Sequence, residues 1–262
     1  MIQLRYFQVD AFTDIAFKGN PAAICLLEEE LETEVMQAIA AENNLAETAF
    51  VLKRADEGFD LKWFTPTVEV NLCGHATVAS AHILWQKNIL PQGKIAEFFT
   101  KSGRLTAEKK VDLIELNFPA YEISEKEPPN RLSEILGASP VNVVYAKDRF
   151  IVELASVEEL KNLKPDFNAL REIEMTVVTA RGTGDFDFYS RSFAGAHGVD
   201  EDPVTGSSHC CLVPYWASKL NKIDFFAYQA SPRGGELKLR LEGDRVLIAG
   251  KAVTVIEGKF MF

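Results

Sequence analysis

Two stretches of this chain leave a helix no side to turn toward water. Residues 76–85 read Ala-Thr-Val-Ala-Ser-Ala-His-Ile-Leu-Trp, and residues 207–220 read Ser-Ser-His-Cys-Cys-Leu-Val-Pro-Tyr-Trp-Ala-Ser-Lys-Leu. A surface helix carries an apolar stripe, whereas one that is small or apolar on nearly every face has to be enclosed. Both segments are entered in the same way, by a strand, a loop and a glycine, Gly74 in one case and Gly206 in the other. Around two enclosed helices the remaining material is mostly strand, which makes the chain α+β rather than all-helical.

The order of elements before each buried helix is also the same. In the first part, residues 3–9 alternate as a strand and residues 22–27 form a second after the turn Lys18-Gly19-Asn20-Pro21. A helix capped by Thr33 follows and ends at Asn43-Asn44, then strands at 48–52 and 60–65, the helix after Gly74, and strands at 96–100, 103–108 and 113–118. Residues 119–130 (PAYEISEKEPPN) have no periodicity and serve as a linker. Beyond them come strands at 141–146 and 150–154, a short helix with the Ser156/Glu159 capping box, and strands at 176–179 and 185–193. The helix after Gly206, kinked at Pro214 or regular on only one side of it, and strands at 225–229, 237–241 and 246–256 complete the chain. This repetition points to duplication of one α+β unit, with halves at residues 1–120 and 130–262.

Composition narrows the functional classes. The 262 residues carry a formal net charge of −10, and no cluster of Lys and Arg provides the phosphate-binding face that nucleic acid requires. The first dozen residues lack signal-peptide order, and no apolar run approaches the ~20 residues needed to span a bilayer, so the expectation is a cytoplasmic protein without membrane contact. Cys25, Cys73, Cys210 and Cys211 are too few and too irregular for a disulfide framework and form no C-x-x-C pair. His75 and His82 are seven residues apart, unlike the i, i+4 spacing of zinc helices, and no dinucleotide or Walker fingerprint occurs. Neither a metal nor an organic cofactor is expected.

Chemistry concentrates at the two glycine junctions. The first turn of a buried helix presents unpaired N–H groups and the positive end of its dipole, which suits a small anion, with Thr77, Thr205, Ser207 and Ser208 as additional hydroxyl donors. An ordinary cap with nothing bound is the plainer alternative. Beside these junctions lie His75 and the run Asp200-Glu201-Asp202-Pro203. Glu47, flanked by Leu45, Ala46, Ala49 and Phe50, is a carboxylate in an apolar stretch, placed where a helix hands over to a strand. Such a group suits general acid–base catalysis, although a capping or salt-bridged carboxylate reads the same way. His82 and His209, within the enclosed helices, read as packed, hydrogen-bonded histidines.

Taken in order, Asp10-Ala-Phe-Thr-Asp14 with Gly19-Asn-Pro-Ala-Ala23, Asn44-Leu-Ala-Glu-Thr-Ala-Phe50, Trp63-Phe-Thr-Pro66, Leu72-Cys-Gly-His-Ala-Thr77 and Glu201-Asp-Pro-Val-Thr-Gly-Ser207 resemble the PhzF-like isomerase family of phenazine biosynthesis over essentially the whole chain. The resemblance implies the diaminopimelate-epimerase-like fold: two similar halves, each a curved, mostly antiparallel sheet wrapped around a central helix, with the active site in the cleft between them. It implies Glu47 as the catalytic acid–base, His75 and Asp202 as supporting catalytic groups, and Asn20, Gly74, Gly206 and Ser207 as substrate contacts. It further implies a cofactor-independent isomerase that moves a proton and double bond on a small cyclic amino- or carboxylate-bearing molecule, and a homodimer. Ala46 stands where serine is usual, and Ala194-Gly-Ala-His-Gly198 where a proline and bulkier residues are usual; both departures bear on the substrate. An amino-acid racemase or epimerase, with Cys73 as one base of a thiol pair, and a non-catalytic small-molecule-binding protein are the alternatives.

Overall fold

The computed structural model describes residues 2–262 and divides the chain into two compact units, Met1–Asn117 with Ala249–Phe262, and Phe118–Ile248.

The first unit comprises strands β1 (Gln3–Ala11), β2 (Asn20–Leu27), β3 (Glu47–Lys53), β4 (Phe59–Phe64), β5 (Glu69–Val70), β6 (Ala96–Thr100), β7 (Gly103–Lys110), β8 (Leu113–Pro119) and the last strand of the chain, β17 (Ala252–Met261), with helices α1 (Thr33–Asn43) and α2 (Gly74–Gln86). β17 and β2 flank β1 in antiparallel register. β2 runs parallel to β3 after the α1 crossover, and β4 runs parallel to β6 after the α2 crossover. The pairs β3–β4, β4–β5, β6–β7 and β7–β8 are antiparallel. α2 packs on β1, β2, β3 and β17 on one side and reaches β7 on another, so the strands curl around it. All of His75–Ala81 and Ile83–Trp85 are buried, as the unstriped sequence requires. Its two enclosed hydroxyls bond backward along the helix, Thr77 Oγ1 to the Cys73 carbonyl at 2.6 Å and Ser80 Oγ to the Ala76 carbonyl at 2.7 Å, so neither is buried without a partner.

The second unit comprises β9 (Asn142–Ala146), β10 (Arg149–Glu153), β11 (Met175–Arg181), β12 (Phe188–Ala194), β13 (Val199–Asp202), β14 (Asp224–Gln229), β15 (Gly235–Glu242) and β16 (Arg245–Gly250), with short helices α3 (Leu132–Leu136), α4 (Val157–Asn162) and α5 (Phe167–Leu170) and the long α6 (Gly206–Leu220). It repeats the logic of the first. β10 is parallel to β11 across α4 and α5, and β12 is parallel to β14 across α6, while β9–β10, β11–β12, β12–β13 and β14–β15 are antiparallel. The short strands β5 and β13, which the sequence pattern did not reveal, occupy equivalent places just before Gly74 and Gly206.

Three features depart from the sequence expectation. The stretch 246–256 reads as one strand of the second half, but the chain breaks at Lys251, and β17 pairs along β1 from Ala11 to Gln3. The turn is tight: the N–H groups of Phe12 and Thr13 both donate to the Lys251 carbonyl, at 2.7 and 3.3 Å. Residues 119–130 are not a free linker, because Ala120 N–H donates to Asp244, Tyr121 to Cys210 and Ser124 to Tyr145. These three bonds tie the segment into the second unit, Phe118–Ile248, where the sequence expectation set halves at 1–120 and 130–262. The third is Pro214, which does not confine the regular part of α6 to one side, since the helix runs through it. Proline removes the N–H that would bond the carbonyl four residues back, and that carbonyl, Cys210, takes the Tyr121 N–H at 2.8 Å instead.

No helix among the described residues is long and apolar enough to cross a membrane. Because α2 is packed on every side by sheet, enlarging a small residue has nowhere to go. Replacing Ala79, fully buried, with Leu should lower stability by about 1–3 kcal/mol, read as a lower urea midpoint with an unchanged slope.

Candidate active site

Each residue singled out in the first unit is placed by a specific local device. Gly19 has φ +63°, and a Cβ there would lie 2.1 Å from the Ala11 carbonyl oxygen, so only glycine allows the chain to turn from β1 into β2. The buried Asp10 carboxylate accepts the Phe17 N–H at 2.7 Å and holds the same turn. Asn20 thereby becomes the first residue of β2, fully buried and opposite Ala11. Asn44, in the left-handed region at φ 49°, closes α1, and the chain enters β3 at Glu47, beside Ala22. β5 and Cys73 then lead into α2, whose first turn carries Gly74 and His75.

These devices bring four side chains together. His75 Nε2 lies 3.2 Å from Glu47 Oε2, with side-chain exposures of 7% and 20%. On the other edge of the ring, His75 Nδ1 is 3.2 Å from Asn20 Nδ2 and 3.5 Å from Cys73 Sγ. An amide N–H donates and has no lone pair to offer, so with Asn20 in this orientation Nδ1 is the accepting nitrogen and the ring proton sits on Nε2, facing Glu47. Burial pushes His75 down to about 3, so the imidazole is neutral near neutral pH. A neutral ring 3.2 Å from a carboxylate oxygen packs against it without forming an ion pair. Glu47, His75 and Asn20, expected from sequence as site residues, are therefore one cluster, and Gly74 is the backbone position beside it.

In the second unit, Asp202 is the last residue of β13 and Thr205 caps α6. Asp202 Oδ2 accepts the Thr205 hydroxyl at 2.5 Å. Gln229, fully buried on β14, accepts the Thr205 N–H and donates to the Asp202 carbonyl, each at 2.8 Å. Ser207 Oγ accepts from Arg149 at 3.0 Å, and Ser208 Oγ from the same nitrogen at 3.4 Å. Asp202, Gly206 and Ser207 thus belong to one junction. Glu201, the other acid beside it, is held in a two-pronged pair with Arg191, both contacts at 2.8 Å. Among the described residues, neither Cys73 nor Thr205 caps its helix through a side-chain hydrogen bond, so the first-turn N–H groups of α2 and α6 are not closed off in that way.

Sequence reasoning missed Arg149 and Gln229. Neither belongs to a motif with a spacing, and each reaches the α6 junction from a strand far away in the chain. The packed reading of the other histidines holds. His82 Nε2 pairs with Thr254 Oγ1 at 3.1 Å, and His209 Nδ1 donates to the Thr205 carbonyl at 2.8 Å beneath the stacked Phe188 ring. All four cysteines are free and buried, and burial pushes Cys210 and Cys211 up to about 12. Although histidine spacing argues against a metal, the fold brings Glu47, Cys73 and His75 close enough for one ligand atom from each to lie within 4.8 Å of the others.

Comparison with known proteins follows the same lines. A family model described as phenazine biosynthesis-like protein matches residues 9–258. An uncharacterized isomerase from Halalkalibacterium halodurans is 48% identical over 265 residues, covering 100% of both chains. A crystal structure of a phenazine biosynthesis protein of the PhzF family from Enterococcus faecalis superposes with a TM-score of 0.95 at 38% identity, covering 100% of each chain. At the level of fold alone, a hydroxyproline epimerase from Agrobacterium vitis gives a TM-score of 0.64 at 9% identity, with 98% of this chain and 92% of that one covered. The two-unit α+β architecture is accordingly the one shared by PhzF-type proteins and the proline and diaminopimelate epimerases.

Burial lowers three histidines below the unfolded value of 6.5, His75 to about 3 and His82 and His209 to about 4. As pH falls through 6.5 the unfolded chain takes up these protons while the native state does not, so stability is present above 6.5 and is lost toward pH 4. Urea unfolding should show about 4 kcal/mol less stability at pH 5.5 than well above pH 6.5. Substituting His82 with Gln should remove roughly a third of that difference.

Proposed function

Because the chain belongs to the phenazine biosynthesis-like family, whose curated members include named isomerases, we propose that it is an isomerase in which Glu47 moves a proton between two carbons of a small, cyclic substrate bearing an amine or carboxylate. The observation that carries this reading is the Glu47–His75 contact at 3.2 Å, a carboxylate held against a neutral buried ring at the start of an enclosed helix.

In this mechanism the Glu47 carboxylate removes an activated C–H proton. The C–H electron pair becomes the new double bond, the old π pair shifts to the neighbouring carbon, and that carbon takes a proton from the carboxyl now formed on Glu47. No oxidant, reductant or cofactor is consumed. His75 fixes the orientation of Glu47 through the ring edge opposite Asn20, and first-turn N–H groups stabilise negative charge that develops on the substrate. On the strength of the family resemblance, Asp202 is assigned a supporting catalytic role, and Asn20, Gly74, Gly206 and Ser207 are assigned as substrate contacts. The same resemblance supports a homodimer.

A second reading has one supporting observation: Cys73 Sγ lies beside His75, 3.5 Å from Nδ1, in the place of one base of a two-thiol epimerase. The thiols available as its counterpart, Cys210 and Cys211, are held protonated inside α6, which argues for Glu47 as the acid–base group.

The test is solvent-hydrogen exchange into a panel of cyclic amino acids in deuterated water. The parent should incorporate deuterium, a Glu47→Gln variant should lose at least about 100-fold in rate, matching removal of a general acid–base, and a Cys73→Ala variant should retain exchange. Retention in Glu47→Gln with loss in Cys73→Ala would transfer the role to the thiol. Binding without exchange in the parent would leave a small-molecule-binding protein.

A further inference from the structure

We propose that Glu47, Cys73 and His75 form a binding site for a thiophilic divalent cation of the zinc type, and that occupation of this site switches off the proton-transfer centre. The coordination stands on geometry alone; its inhibitory consequence rests on the proposed role of Glu47.

His75 Nε2 is 3.2 Å from Glu47 Oε2 and 4.0 Å from Cys73 Sγ, and the three donor atoms all lie within 4.8 Å of one another. Zinc bonded to nitrogen, oxygen and sulfur at its usual lengths sets neighbouring donors about 3.4–3.6 Å apart in a tetrahedron. Small side-chain rotations therefore close the triangle around one ion. The donors sit on stiff elements, the first residue of β3 and the cap and first turn of α2, so they are already gathered before a metal arrives. Three protein ligands with a fourth position left for water or substrate is the pattern of an open zinc site.

The chemistry of the donor set selects the metal. A thiolate and an imidazole suit zinc and its neighbours, whereas magnesium and calcium require oxygen ligands. Binding releases the Cys73 thiol proton to solvent, and the thiolate and carboxylate together balance the two positive charges of the ion, so the buried assembly is neutral. The His75 proton moves from Nε2, which takes the metal, to Nδ1. There it meets Asn20, whose amide, turned over in place, presents its oxygen as acceptor and becomes the outer support that histidine ligands ordinarily have. With Glu47 coordinated, its lone pairs can no longer accept a substrate proton.

The experiment uses the full-length protein, stripped with chelator and titrated with Co2+, whose thiolate-to-metal absorption in the near ultraviolet reports sulfur ligation without any substrate. One equivalent should saturate the band, Zn2+ should displace it and Mg2+ should not. A Cys73→Ala variant with an unchanged circular dichroism spectrum, and a Cys73→Ser variant in case alanine disturbs packing, should both lose the band while Cys25, Cys210 and Cys211 remain. Glu47→Gln should weaken Co2+ binding at least about tenfold, and one equivalent of Zn2+ should abolish deuterium exchange by the parent. Absence of the band in the parent, or its persistence in both Cys73 variants, overturns the site. A Cys73-dependent band in a parent that shows no exchange supports the metal site while refuting the catalytic reading, and exchange without a band refutes the metal site alone.

Discussion

The structure of the first unit depends on the need to enclose α2 on all sides. A helix whose buried residues include His75, Ala76, Thr77, Val78, Ala79, Ser80 and Ala81 in unbroken succession is stable only if strands approach it from several directions, and small side chains let them come close. That packing takes the first turn of the helix out of water along with its backbone. Gly74 and His75 belong to that turn, so the condition that stabilises the helix also desolvates the imidazole and keeps it neutral. The catalytic proposal uses an electrostatic state that the packing creates in any case.

The second unit meets the same requirement with different residues. α6 keeps a proline in its interior because the carbonyl orphaned by Pro214 is served by Tyr121, and two of the polar side chains at its surface are tied to the surrounding strands. Trp216 Nε1 donates to Thr179 Oγ1 at 3.0 Å, and Ser192 Oγ to Ser208 Oγ at 3.1 Å. Arg149, only 4% exposed, carries its charge into this layer because Asp148 pairs with its Nε at 2.7 Å while two serine hydroxyls accept from its Nη1. Removing one partner from such a network costs more than the single bond suggests, since the remaining charge stays buried.

What could be read from sequence divides along the distinction between local and non-local signals. The two enclosed helices, the strand alternation and the position of Glu47 at the handover from α1 to β3 are all local, and each is where its pattern places it. The ordered motifs identify the family because each is a turn or helix start with fixed chemistry: Gly19 is there because a side chain would strike Ala11. The pairing of β17 with β1 is not local. Nothing in residues 246–256 says that the edge they complete lies at the far end of the chain. Arg149 and Gln229 escape for the same reason, since their importance comes from what the fold places opposite them. The gathering of Cys73, His75 and Glu47 within 4.8 Å of one another was also hidden, because a cysteine two residues before a histidine has no meaning until a strand from elsewhere brings in the carboxylate.

The central claim is that enclosure of α2 holds His75 as a neutral ring, protonated on Nε2, against Glu47. Nitrogen-15 spectroscopy of labelled histidine in the full-length protein, followed from pH 7.5 to pH 5, measures this directly. The account predicts one ring with a pyrrole-type Nε2 and a pyridine-type Nδ1, assigned to His75 by its loss in a His75→Gln variant, whose shifts stay constant across the whole range. A His75 signal that titrates near pH 6.5, or one that carries its proton on Nδ1, would contradict it.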